Sequence, residues 1–505
     1  MTNFLHMENL TFTYENCIEP LFDDISFQID EGWTAIVGVN GSGKTTLLKL
    51  VCGLLKPDTG ILVIPGKTHY TEQRTDFMPA EFHDFFNSTQ NLSYKIKRSL
   101  HIVDDWQNSW DTLSHGERKR IQIGVALNVE PMVLAVDEPS NHLDSKSKNI
   151  LLNALKSFRG IGLLVSHDRD LMDNLCQRTI FLNPPQIDVR KCSYSIAASE
   201  IEREHKSRAA EYLLAKREVK KLKKKVNVQK EKANKAAKLR SKSNLDNKDH
   251  DAKAKKDLAR LTGKDGFEGR KLKRFKTKLD SAQAHKDSIK FQKISLHGIV
   301  FNTEEGRNIF PIIIPSSIKT MGKEKLLKIP ELSIVYGDKI GIIGNNGSGK
   351  STFLNHLMKI SNIPGDRVIY IPQEISSDQS VSMLKRIRSY SREKKGQIMT
   401  ILSRLGSDPI NVLETTIPSP GEIRKLMLAE GIMLNPSLII MDEPTNHMDL
   451  TSIECIEEAL NECSCAQLLV SHDIKFLKNT VKYFWEFSRN SKYEYTIKRI
   501  YQISV

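Results

Sequence analysis

At 505 residues the chain exceeds one ordinary domain, so two or three are expected. With 39% hydrophobic and 27% charged residues it reads as globular, and no apolar run approaches the roughly 18 residues a membrane helix needs. The formal charge of +14 is unevenly spread: residues 191–290 hold 31 Lys+Arg against 14 Asp+Glu, while the remaining 405 residues sum to −3, which points to a phosphate-rich partner for that segment.

The opening residues Met1 to Phe4 lack a basic stretch followed by an apolar core, so no secretory leader is expected. Cysteines at 17, 52, 176, 192, 455, 463 and 465 fit neither a disulfide framework nor a zinc site, and all seven are expected to be thiols in a reducing cytoplasm. Tyr14 is a candidate for stacking on a nucleotide base. Trp33–Val37 is an apolar strand that enters Gly38, Asn40, Gly41, Ser42, Gly43, Lys44 and Thr45, followed by a helix over Thr45–Leu55 that includes Thr46. Glycines at that spacing let backbone N–H groups approach phosphates; Lys44 adds a cation for the β- and γ-phosphates and Thr45 a hydroxyl for Mg²⁺. Gln73 comes next, then Ser114, His115, Gly116 and Glu117. The buried strand Val133–Val136 delivers Asp137, placed to hold a Mg²⁺ shell, and Glu138, which can orient and deprotonate an attacking water. Gly162–Val165 delivers Ser166, His167 and Asp168, with His167 able to contact a γ-phosphate and that water.

The middle segment follows another period. Over 199–240, Tyr212, Ala215, Val219, Leu222, Val226, Ala233 and Ala236 recur at steps of three and four, a helical stripe on a Lys/Glu-rich surface. Leu272, Phe275, Leu279, Ala282 and Ile289 make a second stripe, so an antiparallel helical hairpin is predicted. Its turn falls in 241–269, with Gly263, Gly266 and Gly269 and a short helix over Leu258–Leu261. A helix of about 40 residues would project about 60 Å, an arm rather than a tether.

The first pattern then returns. Gly344, Asn346, Gly347, Ser348, Gly349, Lys350 and Ser351, with Thr352 behind them, repeat the phosphate loop; Gln373, then Ser419, Gly421 and Glu422, then Asp442 and Glu443, then His472 complete the second set. Four of the five landmark offsets are 305 or 306 residues and the glutamine offset is 300. The fold class is therefore α/β: two homologous nucleotide-binding domains with largely parallel sheets, at 1–190 and 293–505, joined by a basic helical-hairpin linker at 191–292.

Together these motifs resemble Walker A, glutamine loop, signature, Walker B and histidine switch of ATP-binding cassette ATPases. Asp137-Glu-Pro-Ser-Asn-His-Leu-Asp144 and Asp442-Glu-Pro-Thr-Asn-His-Met-Asp449 resemble more narrowly the ABC-F family, as do the twin cassettes and the charged linker. The resemblance implies a Mg-dependent ATP hydrolase with head-to-tail composite sites, the first Walker A facing Ser419–Glu422 and the second facing Ser114–Glu117. It also implies that Gln73 and Gln373 join Thr45, Asp137, Ser351 and Asp442 around the metal. Pro418 stands where the family usually has leucine, His115 occupies the variable signature position, and the second cassette has no aromatic matching Tyr14. About 40 residues separate Gln73 from Ser114, so the arm that some members carry there is short or missing, and the 33 residues after His472 leave no room for a sizeable extension.

The function implied is that of a cytoplasmic, ribosome-associated monomer whose cassettes close on each other. It would bind ribosomal RNA and P-site tRNA near the tRNA exit site and push the linker toward the peptidyl-transferase centre, in antibiotic resistance by ribosome protection. The tip's apolar residues, Leu245, Leu258, Leu261 and Phe267, would wedge against the drug pocket or the tRNA end, or simply pack the turn. A housekeeping translation factor that relieves stalled ribosomes is the alternative within the family. The ATPase subunit of a membrane exporter would have no use for the basic linker, and DNA-repair or chromosome-structuring ATPases carry far longer coiled coils or zinc insertions.

Overall fold

The computed structural model describes residues 4–15, 17–141, 143–184, 186–240, 266–289, 309–321, 325–361, 363–415, 418–446, 448–491 and 493–501. It divides into two units, 1–195 with 295–505, and 196–294.

In the first half of the larger unit, a six-stranded sheet runs in the order Thr68–Thr71, Val133–Asp137, Ile161–Val165, Gly32–Val37, Arg178–Asn183 and Gln186–Arg190. All neighbours are parallel except the last pair. Val133–Asp137 and Ile161–Val165 are buried at every position, as expected for parallel strands covered on both faces. A separate antiparallel sheet orders Phe22–Asp30, Phe4–Phe12 and Thr59–Val63. Phe22, Ile25, Phe27 and Ile29 of that sheet point into one core with Leu47, Leu48 and Val51 of the helix Lys44–Val51. This helix stops four residues earlier than the pattern suggested, because Gly53 turns the chain at φ 72.

The second half repeats the plan with one larger sheet. Its order is Ser317–Met321, Lys325–Ile329, Glu494–Ile500, Tyr483–Arg489, Lys339–Gly344, Ala466–Val470, Leu438–Asp442 and Val368–Ile371, the last five strands being mutually parallel. In both halves the strand bearing the phosphate loop lies next to the strand ending in the histidine, which lies next to the strand ending in the acidic pair. Three functional loops therefore leave the carboxyl ends of adjacent parallel strands, the edge where ligands sit in open α/β sheets.

In the smaller unit, one helix runs from Tyr194 to Arg240, 47 residues or about 70 Å, and carries 15 Lys+Arg against 6 Asp+Glu. It starts five residues before the expected stripe. Ala215, Val219 and Val226 of that stripe are buried. A second helix, Gly266–Ser288, lies beside it, with His285 Nε2 4.0 Å from Glu211 Oε1. Gly266 and Gly269 thus belong to the helix rather than to the turn. A glycine costs a helix about 1 kcal/mol relative to alanine, a deficit that the good helix formers Arg270, Lys271 and Leu272 help to offset. Gly263, Leu245, the segment Leu258–Leu261 and the side chain of Phe267 lie outside the described residues.

The cysteines require one correction. Cys463 and Cys465 form a disulfide, whereas all seven had been expected as thiols. Cys463 caps the helix Leu450–Glu462 and Cys465 precedes the strand Ala466–Val470, so the connecting turn brings both buried residues to a Cα separation of 5.6 Å. Cys17, Cys52, Cys176 and Cys455 are thiols as expected.

Candidate active sites

Each phosphate loop is fixed by backbone geometry that only glycine tolerates. Gly43 and Gly349 cap their helices in the left-handed region, at φ 91 and 98. A side chain on Gly38 would meet Leu182 O at 2.4 Å, and one on Gly344 would meet Phe487 Cβ at 2.8 Å. Gly41 and Gly347 also take positive φ, at the turns of the two loops. Lys44 Nζ donates to Gly38 O at 2.8 Å and Val39 O at 3.0 Å; Lys350 Nζ donates to Gly344 O at 2.7 Å. Burial pushes both lysines below the ordinary value, against the pull of Glu138 and Glu443. Ser42 Oγ and Ser348 Oγ are buried in the loops with no hydrogen-bond partner among the described residues, polar atoms placed where an incoming phosphate could satisfy them. Tyr14 is 43% exposed, and its hydroxyl lies 2.8 Å from Thr46 Oγ1, which puts the ring at the helix that opens from the first loop.

Thr45 Oγ1 donates to Asp137 Oδ2 at 2.7 Å and Ser351 Oγ to Asp442 Oδ2 at 2.9 Å, uniting the hydroxyl and carboxylate of each half. Tyr70 adds a second donor to Asp137 Oδ2 at 3.1 Å. Glu138 and Glu443 occupy the left-handed region at φ 45 and 53, a strained geometry for non-glycine residues. Their N–H groups are fixed on Val165 O and Val470 O, on the histidine strand. His167 Nε2 lies 3.0 Å from Glu138 Oε1, and its backbone N–H donates to Oε2 at 3.3 Å. His472 Nε2 lies 3.5 Å from Glu443 Oε1 and 3.0 Å from Asn346 Oδ1. Burial raises both glutamates, Glu443 to about 7, and lowers His472 to about 3, with Lys350 adding to the latter shift. A neutral imidazole thus faces a carboxyl group poised to hold or release a proton near neutrality.

Ser114 and Ser419 cap the helices His115–Asn128 and Pro420–Met433. Each closes a capping box with Glu117 or Glu422, whose carboxylate accepts from the serine N–H at 2.8 Å. Gly116 and Gly421 lie in the first turns. The side chains of Gln73 and Gln373 are exposed. Their carbonyls, however, are held by two residues that the motif search passed over. Buried Lys119 donates to Glu72 O at 2.7 Å and Gln73 O at 3.0 Å; buried Arg424 donates to Gln373 O and Asn446 O. Both stand five residues after the signature serine. Each couples electrostatically to its own Walker B pair, and burial lowers Lys119 to about 8. The available sequence signal was that both halves carry a cation at the same offset.

The halves touch. Asn40 N–H donates to Asp449 Oδ2 of the second half at 3.4 Å, and Lys148 Nζ to His472 O at 3.4 Å. Arg169, directly after His167 and Asp168, makes a buried ion pair with Glu457, which also accepts from Asn479 Nδ2 at 3.0 Å. Lys475 Nζ donates to Ser195 Oγ at 2.6 Å, and Tyr194 OH donates to Glu454 Oε1 at 3.2 Å. A cleft of about 1070 Å³ opens over the second phosphate loop. It is lined by Asn346, Lys350, Ser351, Gln373 and His472, and by His115 from the first half.

Two phosphate loops, each with its acidic pair, histidine and capped serine helix, define a twin-cassette ATPase. The ABC transporter family model matches residues 22–141 and 327–446, once in each half. The chain is 27% identical to the erythromycin resistance ATP-binding protein MsrA of Staphylococcus epidermidis, over 97% of this chain and all of that one. It is 28% identical to the ribosome protection protein VmlR of Bacillus subtilis, over 93% of this chain and 84% of that one. The archaeal ribosome recycling factor aABCE1, solved with the stalk protein aP1, shares the fold with a TM-score of 0.62 at 17% identity, over 97% and 90% of the two chains. The chain carries an ABC transporter domain in each half, is similar over nearly its whole length to proteins of the ABC-F type, and is an ATP-hydrolysing enzyme. Among the described residues no helix is long and apolar enough to cross a membrane.

Proposed function

We propose that this ATPase acts on the ribosome, seated near the tRNA exit site against ribosomal RNA and P-site tRNA, and protects the peptidyl-transferase region from antibiotics. The observation that carries this reading is likeness over nearly the whole chain to proteins named for erythromycin resistance and ribosome protection. The exposed cations of the helices Tyr194–Arg240 and Gly266–Ser288 support it, since neutralising phosphates supplies most sequence-independent affinity for RNA. The working form is a cytoplasmic monomer with cassettes at 1–190 and 293–505 and the linker at 191–292.

In each site the glycine loop and Lys44 or Lys350 bind the triphosphate of ATP. Glu138 or Glu443 takes the proton of the attacking water, and His167 or His472 fixes that carboxylate and lies against the γ-phosphate. The hydroxyl and carboxylate oxygens of Thr45 with Asp137, and of Ser351 with Asp442, form the all-oxygen donor set that suits Mg²⁺, with Gln73 and Gln373 joining them. When bound there, Mg²⁺ supplies positive charge against the β- and γ-phosphates. Closure brings Ser419–Glu422 to the first Walker A and Ser114–Glu117 to the second. Turnover then reopens the cassettes.

Cosedimentation with ribosomes across a salt series tests the proposal. Binding should weaken with a log–log slope of about 0.9 per phosphate neutralised, and reversing Lys223, Lys224 and Lys225 should flatten that slope by about 2.7. Expression in a sensitive bacterium should raise the inhibitory concentration of drugs acting at the peptidyl-transferase centre. Ribosome binding without any protection would favour a translation factor that relieves stalled complexes, and salt-independent binding would remove the basic arm as the contact.

A further inference from the structure

We infer that Lys148, a residue of the first cassette, is a positioning residue for hydrolysis in the second: it holds the backbone of His472 so that the imidazole stays against Glu443. The inference rests on the reading of Glu443 as the base and adds to it a group that the other cassette supplies. Lys148 lies in the helix Ser145–Lys156, which Asp144 caps by accepting from Ser147 N–H at 2.9 Å. From there its ammonium reaches the second cassette and donates to His472 O at 3.4 Å. The N–H of the same histidine donates to Glu443 Oε2 at 3.3 Å. The backbone of His472 is thereby held by base and lysine together, with its ring Nε2 3.5 Å from Glu443 Oε1. Lys148 also borders one small pocket with Glu443, His472 and Asp473.

The ammonium is anchored on its own side of the interface. It pairs at 2.7 Å with Asp168 Oδ2, the two side chains being 21% and 12% exposed. Asp168 is fixed in turn. Its Oδ1 caps the helix Arg169–Leu175 by accepting from Leu171 N–H at 3.0 Å, and its own N–H donates to Ser166 Oγ at 3.1 Å. Burial works against the charge on Lys148, but Asp168, then Asp473 and Glu443, outweigh it and hold the lysine above its ordinary value. A lysine that stays charged and is pinned to a rigid carboxylate is a fixed donor for one carbonyl. Asp168 directly follows His167, so this one side chain joins the loop carrying the first site's histidine to the loop carrying the second's.

The second cassette returns no such group. Lys148 stands four residues after Asp144; four residues after Asp449 the chain has Ile453, only 1% exposed in the core of its own cassette. Isoleucine has neither donor nor charge, so it cannot offer His167 the bond that Lys148 offers His472. The two aspartates register the difference. Burial raises Asp473, whereas at Asp168 burial is overcome by Lys148 and the carboxyl is lowered. Support from this position therefore runs one way, from the first cassette to the second site.

Turnover measured one site at a time tests this. Glu138→Gln leaves the second site to hydrolyse ATP, and Glu443→Gln leaves the first. In the Glu138→Gln protein, Lys148→Met, which keeps the length of the side chain and removes its charge, should lower kcat about ten-fold or more, the scale of one hydrogen bond from a charged group. KM for ATP should stay within about three-fold, since the lysine holds the histidine rather than the nucleotide. Lys148→Arg, which keeps both charge and donor, should recover kcat to within about three-fold. In the Glu443→Gln protein, Lys148→Met should alter kcat by less than about three-fold. Lys148→Met with Asp168→Asn, in which asparagine still caps the helix and no carboxylate is stranded, should show the same contrast between the sites. A second-site kcat within about two-fold of its parent, an equal loss at both sites, a loss that appears in KM, or one that arginine does not recover would each overturn the inference. Turnover by protein carrying both glutamine changes would overturn the reading of the glutamates as bases, and this inference with it. The assays use the isolated protein, so their outcome does not depend on whether the ribosome is the target.

Discussion

The ion pair between Arg169 and Glu457 should control cassette closure. It joins the helix that follows the first histidine switch to a helix of the second cassette, with side chains only 5% and 10% exposed. Arg169→Met leaves Glu457 in that buried place with Asn479 as its remaining hydrogen-bond donor among the described residues. Removing one member of a buried, hydrogen-bonded pair costs about 3–5 kcal/mol, because the remaining charge is uncompensated. At 1.4 kcal/mol per decade, the closing equilibrium should fall by roughly a hundred-fold to several thousand-fold. Arg169→Met with Glu457→Met should recover most of this loss, since an apolar pair removes the stranded charge. Energy transfer between a dye on each cassette, titrated with ATP in the Glu138→Gln/Glu443→Gln protein, measures closure directly. Closure by the single variant within two-fold of its parent, or a double variant no better than the single, would refute the assignment of this pair as the clasp.

Other consequences follow from the same sites. Glu138→Gln with Glu443→Gln should abolish ATP turnover while preserving ATP binding, so that the protein accumulates on ribosomes and stops translation; turnover at the parental rate would remove both glutamates from the role of base. Because burial raises Glu443 to about 7, above the usual carboxylate range, and only its ionised form accepts a proton, kcat/KM for ATP in the Glu138→Gln protein should be highest above pH 7 and decline about ten-fold per unit below it. A flat profile from pH 5.5 to 8 would place the base elsewhere. Lys119→Met removes a buried cation that holds two carbonyls of the first glutamine loop and should cost about 1–3 kcal/mol, read as a lower unfolding midpoint in denaturant together with slower turnover at the first site.

Much of the molecule was legible along the chain because its chemistry is written in contiguous stretches. A strand, a glycine loop and a helix start make a phosphate cradle from eight successive residues, and strand ends deliver Asp137, Glu138 and His167 in order. The repetition of each group near a spacing of 305 residues sufficed to reveal two cassettes. The helical linker was legible for a similar reason, since a stripe at steps of three and four is a local property. Its limits were not: Gly266 and Gly269 read as turn residues, yet both lie within the helix Gly266–Ser288.

What only the tertiary structure decided are the pairings across long separations. Lys119 reaches a carbonyl 46 residues away, Arg424 one 51 residues away, and Arg169 a carboxylate 288 residues away. No local periodicity encodes such partners, because a buried cation is specified by whichever acceptors the packed strands and helices bring within hydrogen-bond reach. The same holds for Cys463 and Cys465, which composition assigned to free thiols and the turn between helix and strand placed side by side. Local sequence determined the parts of each ATP site. The packing of strands and helices decided which distant partners hold those parts in place, because a buried cation finds its acceptors only once they are brought within reach.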